Sequence, residues 1–199
     1  MRTKTEASST RSRLLEAATV LMLEKGFAAT SVDEVCVRAR LTKGAFFHHF
    51  EDKADLAGAL VERWSEARKA GHARLFGSHE DPLRRVLDYA DGVGRLAEDG
   101  SLLKGCLIAT FAQELQGVPS VRMACERGLA DWVDQLGREV ALTKERHRPG
   151  TRLDPTVTAE AFVAHIAGAI LFARTGSGAA PIRRAVEKFK REMRREFEG

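Results

Sequence analysis

The densest chemistry in this sequence lies between Thr42 and Phe50, which read TKGAFFHHF. On a helix, Phe46 and Phe50 stand four apart and share one face, which predicts a buried side. Thr42, Lys43, Gly44, Ala45, Phe47 and His48 then fall on the faces left to a partner. Their types suit the major groove of double-stranded DNA. A lysine such as Lys43 reaches a phosphate or a guanine edge, and the Ala45 methyl can touch a thymine methyl. Gly44 lets the backbone come close. The positive end of the helix adds its own attraction for phosphate. The same row also fits a plain helical hairpin with a solvated basic face.

Other reactive side chains carry less. His48 and His49 are adjacent, point about 100° apart on a helix and do not share an ion. No two of the six histidines stand four apart. His165 sits alone in an apolar stretch, either as a core histidine or as a polar group lining a pocket. Cys36, Cys106 and Cys125 are widely spaced and odd in number, which excludes a disulfide framework or zinc spacing. Cys106 follows Lys104 by two residues, so a thiol-responsive regulator is one alternative; a small buried residue is the plainer reading. No serine nucleophile motif, glycine-rich phosphate loop or catalytic carboxylate pair stands out. A helical enzyme whose hairpin is only structural is therefore the remote alternative. No catalytic residue, metal ligand or cofactor is expected.

These residues need helices to hold them. Leu14, Leu15, Ala18, Leu21 and Met22 recur at helical spacing, and Gly26 can end that helix in a left-handed conformation. Residues 1–8 are polar and read as a disordered arm. Ser31 and Glu34 form a capping box opening a second short helix, with Val32, Val35, Cys36 and Ala39 as its stripe. Thr42 is a natural N-cap for the third, which is expected to run to Phe50. Asp52 can cap a fourth carrying Leu56, Leu60 and Trp64. Residues 70–81 read as a connection, and Pro82 opens a helix with Leu83, Val86, Leu87, Ala90 and Val93 inward. Further helices are expected over 103–115 and from a Ser120 cap to about 143, before the break at 147–150. Residues 159–173 are apolar nearly all round, too short to span a bilayer and so buried on every side. One of its faces can pack on its own subunit and the other on a partner. Pro181 opens a last helix striped by Ile182, Val186, Phe189, Met193 and Phe197. No strand alternation appears, so the fold class is all-α.

The chain has 199 residues and a net charge of +4. Its first 53 residues hold nine Lys/Arg and seven Asp/Glu, so placement rather than total charge marks the N-terminal part. No secretion signal and no apolar run of about 18 residues are evident, which predicts a cytoplasmic protein without a membrane partner.

Residues 30–56, TSVDEVCVRARLTKGAFFHHFEDKADL, resemble the DNA-binding signature of TetR-like (tetracycline-repressor-like) transcription regulators, as does the Gly26-Phe27 ending before them. The resemblance covers residues 10–65. It implies an all-α homodimer with a three-helix helix-turn-helix head over 1–53. A helical ligand-binding and dimerisation body would occupy 54–199, with 54–69 as the connecting helix. It implies DNA contacts from Thr42, Lys43, Gly44, Ala45, Phe47 and His48, and phosphate contacts from Thr30, Ser31 and Lys53. Two positions depart from the pattern. Arg40 stands where glycine is common, at a cost of about 1 kcal/mol if the residue is left-handed, and can add a phosphate contact. Phe47 stands where tyrosine is common and lacks its hydroxyl. The implied function is a repressor released from a palindromic operator by an unknown small, largely apolar effector. By helical face and size, Trp64, Val86, Val93, Phe111, Trp132, Phe162 and His165 are expected to line the pocket. Val163, Ala167, Ile170, Leu171, Ile182, Val186 and Phe189 are expected at a four-helix dimer interface, unless both helices only close an intrachain core.

Overall fold

The computed structural model describes residues 4–100, 102, 107–115 and 117–199, and among these every regular element is helical. The helices are α1 (Lys4–Lys25), α2 (Val32–Ala39), α3 (Lys43–Phe47), α4 (Lys53–Leu75), α5 (Pro82–Glu98), α6 (Leu107–Glu114), α7 (Pro119–His147), α8 (Pro155–Phe172) and α9 (Ala180–Phe197). A π turn, Ala173–Ser177, follows α8 and ends where Gly176 takes φ of 102°.

Contacts divide the chain into two units. Unit 1 is Met1–Ser65 with Leu107–Gly128, and unit 2 is Glu66–Cys106 with Leu129–Gly199. This grouping differs from a division at residue 53. It keeps the first half of α4 with α1 to α3 and adds α6 and the start of α7.

In unit 1, α1 ends at Gly26, where φ is +86°. Ser31 caps α2 in a complete capping box: its hydroxyl accepts from Glu34 N–H, and the Glu34 carboxylate accepts from Ser31 N–H. Such a cap contributes about 1 kcal/mol. At the other end Arg40 adopts φ 53°, ψ 47°. Leu41 N–H donates to Cys36 O at 2.9 Å and Arg40 N–H to Val37 O at 3.0 Å, the paired bonds of a Schellman ending. Thr42 then caps α3 by accepting from Ala45 N–H at 3.2 Å. Leu14, Leu15, Met22, Val35, Phe46, Phe50, Leu56 and Leu60 form the interior, each burial contributing about 1.5–3 kcal/mol.

In unit 2, α5 and α8 both pack on α9. Asp81 caps α5 through Leu83 N–H, and Asp154 caps α8 through Thr156 and Val157 N–H. Phe162 of α8 and Phe189 of α9 lie 4.3 Å apart between ring centres. Lys190 of α9 crosses to Asp91 of α5 at 2.5 Å.

Several boundaries differ from expectation, and α7 for one continues to His147 rather than to about 143. Helix α1 starts at Lys4, so residues 4–8 are helical rather than a disordered arm. Helix α3 is α-helical only to Phe47; His49 and Phe50 N–H then both bond Phe46 O, making a tight turn before α4. Helix α4 continues to Leu75, which removes residues 70–75 from the expected connection. Ala70, Ala73, Arg74 and Leu75 there are strong helix formers, and His72 buries its side chain, as does Phe76 just beyond. Helix α8 with its π turn runs Pro155–Ser177, 23 residues, so it is not too short to cross a membrane by length and composition. It carries Glu160, His165 and Arg174, and it packs on α9.

Candidate nucleic-acid interface

Helix α3 turns one side to the interior and one outward. Ala45 is 9% exposed and Phe46 0%, whereas Thr42, Lys43, Gly44, Phe47 and His48 are exposed. Ala45 is therefore a correction: its methyl is turned inward beside Phe46, at 9% exposure, rather than outward toward a partner. Phe47 is 58% exposed and stands edge-on to Phe46 at 5.2 Å, so its outer face is open and its orientation is held. A Cβ added at Gly44 would find only Thr42 Oγ1, at 3.8 Å. Packing within the chain does not require glycine there; close approach of another molecule would.

Lys43 reaches across to Asp33 of α2 at 2.7 Å. The carboxylate raises the Lys43 pKa above its ordinary value, so the side chain is cationic at any physiological pH. Both groups are well exposed, and such a pair contributes only about 0–1 kcal/mol. A phosphate can replace Asp33 at little cost.

The residues expected to meet phosphate beside α3 separate into two kinds. Ser31 is exposed at the start of α2, and its partner Glu34 is held down to about 2 by Lys25 first and the Ser31 backbone second. Arg40 is exposed at the turn. Thr30 is a correction: it is 1% exposed and its hydroxyl donates to Gly26 O at 2.8 Å, so it shapes the α1–α2 turn. Lys53 is turned inward as well. Its ammonium donates to Phe27 O at 2.9 Å and Thr30 O at 2.8 Å and lies 4.1 Å from the Phe27 ring centre. Two of its three protons are committed to holding that turn, so a phosphate competes for the third.

Three residues without a sequence signal complete this region. Arg13 of α1 donates from Nη2 to Ala39 O at 2.6 Å and Arg40 O at 3.3 Å, which ties down the strained turn. Arg13, Arg38 and Arg40 line one cleft of about 390 Å³. Glu114 of α6 accepts from Phe27 N–H at 2.7 Å and Ala28 N–H at 3.2 Å, while Phe111 meets Phe27 edge-on at 6.2 Å. The Glu114–Phe27 bond joins residues 87 positions apart, and no local pattern announces it.

The seven expected pocket residues are divided between the two units. Trp64 and Phe111 belong to unit 1, where Phe111 covers Phe27. Val86, Val93, Trp132 and Phe162 are buried in unit 2, and Trp132 and Phe162 both meet Tyr89. His165 is exposed, on a groove of about 270 Å³ between α8 and α9. It falls outside the stripe of Phe162, Val163, Ile166 and Ile170 that α8 buries.

The dimer set is corrected for the same reason. Val163, Ile170, Ile182, Val186 and Phe189 are buried within their own subunit, and Ala167 is half-buried. Only Leu171 of that set is open, at 60% exposure, beside Phe172 at 63%. The apolar wrapping of α8 resolves into two opposite stripes. One is buried; the other runs Val157, Ala161, Ala164, Gly168, Leu171 and is exposed.

Cys36 is buried, and burial first of all pushes its thiol pKa up. Cys125 is buried with Sγ 3.8 Å from Ile108 O. Cys106, the candidate sensor thiol, lies outside the described residues. Among the described residues no three of His, Cys, Asp and Glu are grouped to hold a metal ion.

Comparison with known proteins agrees with this geometry. Residues 14–60 match the family model of bacterial regulatory proteins, tetR family, and residues 82–189 match the tetracyclin repressor-like C-terminal domain. The chain is 35% identical over 179 residues to the transcriptional regulator AcuR of Cereibacter sphaeroides, covering 85% of this chain and 78% of that one. It is 29% identical over 163 residues to the HTH-type transcriptional repressor DhaR of Mycobacterium sp., covering 81% and 80%. A crystal structure of a TetR regulatory protein from Rhodobacter sphaeroides superposes with a TM-score of 0.79 at 28% identity, covering 90% and 96%.

Proposed function

We propose, from the premise that this chain belongs to the TetR family and is a DNA-binding transcriptional regulator, that it is a cytoplasmic homodimeric repressor released from a palindromic operator by a small, largely apolar effector. The observation that carries the DNA-reading part is the outward row Thr42, Lys43, Gly44, Phe47 and His48, set on a helix whose other side is anchored by Phe46. Lys43 supplies the charge, Gly44 the close approach, and Phe47 an apolar face for a thymine methyl or sugar. Ser31 and Arg40 serve phosphates on either side of α2. Residues 1–53 act as the reading head and 54–199 as the effector and dimer body.

The exposed stripe of α8 supports the dimer. Its small residues at three- and four-residue spacing, ending in Leu171 and Phe172, suit a second copy of the same helix packed across a two-fold axis. Two heads related by that axis read a near-palindrome. The effector acts by favouring a body conformation in which the heads no longer fit their half-sites.

Selection of bound duplexes from a random DNA pool, at stated salt, tests the reading. Enrichment of a palindrome is expected. Lys43→Ala should lower affinity for that site by about tenfold or more while leaving the melting temperature unchanged. Unchanged affinity would remove Lys43 from the interface. Absence of any preferred sequence, together with turnover of a bound small molecule, would overturn the regulator reading in favour of an enzyme.

A further inference from the structure

Helix α2 brings an acidic residue onto the surface from which α3 presents its outward row. Asp33 Oδ1 lies 2.7 Å from Lys43 Nζ, and both side chains are 62% exposed. The fold does not depend on this pair, since an exposed ion pair adds little to stability. Phosphate binding does not account for it either. A phosphate that takes Lys43 leaves the Asp33 carboxylate facing an anion, so it gives no reason for an acid at this place. The neighbouring acid of α2 is engaged elsewhere: Glu34 is turned to Lys25 and to the Ser31 cap. Val37 stands four residues after Asp33, on the same side of α2, and is 78% exposed. Asp33 and Val37 thus extend the outward row of α3 sideways onto α2.

The spacing of the pair has a counterpart in the major groove. In a G·C pair guanine O6 accepts from cytosine N4, so an acceptor and a donor stand side by side about 2.9 Å apart. Lys43 and Asp33 offer a donor and an acceptor side by side at 2.7 Å. An ammonium has three protons; with one turned to Asp33, two remain for guanine O6 and N7. A carboxylate accepts at both oxygens, so Asp33 Oδ2 remains for the free N4–H of the cytosine. The reversed pair, C·G, sets donor against donor and acceptor against acceptor. An A·T pair with adenine under the lysine does the same through N6 and O4. A T·A pair keeps the order, O4 then N6. It puts the thymine methyl where guanine offers N7 to Lys43, however, and sets the adenine N7 acceptor beside the Asp33 carboxylate.

We propose that Asp33 is a base-reading residue, and that Asp33 of α2 and Lys43 of α3 act as one unit on a single G·C pair in each half-site, with guanine under Lys43 and its cytosine under Asp33. This deepens the DNA-reading function above and rests on it. Lys43 draws the unit to DNA. Asp33 supplies the selection, because a lysine alone donates as well to thymine O4, adenine N7 or a phosphate. Val37 lies beside the unit, where its methyl groups suit the thymine methyl of a neighbouring pair.

Selection from a random DNA pool, run in parallel with the full-length parent, Asp33→Ala and Lys43→Ala at one stated salt concentration, tests the proposal. The parent should enrich a palindrome in which one G·C pair per half-site is favoured at least about tenfold over the other base pairs. Asp33→Ala should relax that preference to about threefold or less, at the same position that Lys43→Ala relaxes. The rest of the motif and the melting temperature should not change. A second measurement uses the unaltered protein and so does not depend on how a variant folds. Replacing the cytosine of that pair by 2-pyrimidinone, which lacks the 4-amino group, should weaken the parent about tenfold and Asp33→Ala by no more than about twofold. An unchanged motif in Asp33→Ala, an equal rise in its affinity for every duplex, or an equal loss by both proteins on 2-pyrimidinone would each overturn it. A palindrome that Lys43→Ala disturbs and Asp33→Ala does not would keep the regulator and remove Asp33 as a reader. No enriched sequence for the parent would remove both.

Discussion

Helices α3 and α8 each bury one face and leave the other open, and their open faces are chemically opposite. The open side of α3 carries a threonine, a lysine, a glycine, a histidine and one held aromatic. The open side of α8 carries valine, alanines, a glycine and leucine, with Phe172 beside them. The buried sides are alike, both built from apolar residues at helical spacing. The difference teaches that burial alone names no partner. Each helix is held by its inner stripe, while its outer stripe selects between an anionic groove and a second copy of an apolar helix. In α3 that outer surface sits on five residues and depends on caps and turns; in α8 it sits on 18 and depends on packing.

The strongest way to break the comparison is to remove the anchor of α3. Phe46→Ala empties a site of 0% exposure and should cost about 3–5 kcal/mol, lowering the denaturant midpoint and abolishing operator binding. Retained operator binding at unchanged stability would mean that α3 is not held from beneath.

On the α8 side, Leu171→Asp places a carboxylate on the open stripe without touching the core. Dimer dissociation should rise about a hundredfold or more, seen by sedimentation, with the helical content of each subunit preserved. A dimer that survives would move the interface to another face.

The turn between α2 and α3 sharpens the contrast on a smaller scale. Arg40→Gly relieves a left-handed arginine and should raise stability by about 0.5–1 kcal/mol in denaturant melts. If Arg40 also touches phosphate, operator affinity falls while stability rises, and the two measurements separate its roles.

The smallest effect concerns acid. Glu34 has its folded pKa depressed from 4.5 to about 2, so its contribution to the α2 cap is complete above 4.5 and is lost as pH falls toward 2. Amide protection at Ser31 and Glu34, taken relative to intrinsic exchange, should fall across that window. Glu34→Gln should make that protection insensitive to pH, whereas an unchanged profile in that variant would assign the effect to another carboxylate.

Much of the head was legible because its signals are local. The Ser31–Glu34 capping box and the Thr42 cap each depend on residues a few positions apart, whereas a left-handed Arg40 was suggested only by the resemblance, in which glycine is common there. The inward turn of Ala45 was not, because the width of the buried face of α3 is set by the helices packed beneath it and not by the spacing of Phe46 and Phe50. Nor were Thr30 and Lys53 as turn builders, since their partners at Gly26 and Phe27 are chosen by the path of the chain. In the body, periodicity located the stripes of α8 and α9 but not which stripe is buried. Apolar residues all round α8 are compatible with either face inward until α9 is in place.

The sequence by itself determined that this is an all-helical chain with a reading helix opened by Thr42, because helical period, caps and breakers act over one or two turns. Only the tertiary structure decided that Glu114 holds the α1–α2 turn and that Ile182, Val186 and Phe189 are core. It alone brought His72, Tyr89 and Trp132 together from helices α4, α5 and α7. Those outcomes depend on which distant surfaces exclude water from each other, and that choice is made when the helices pack.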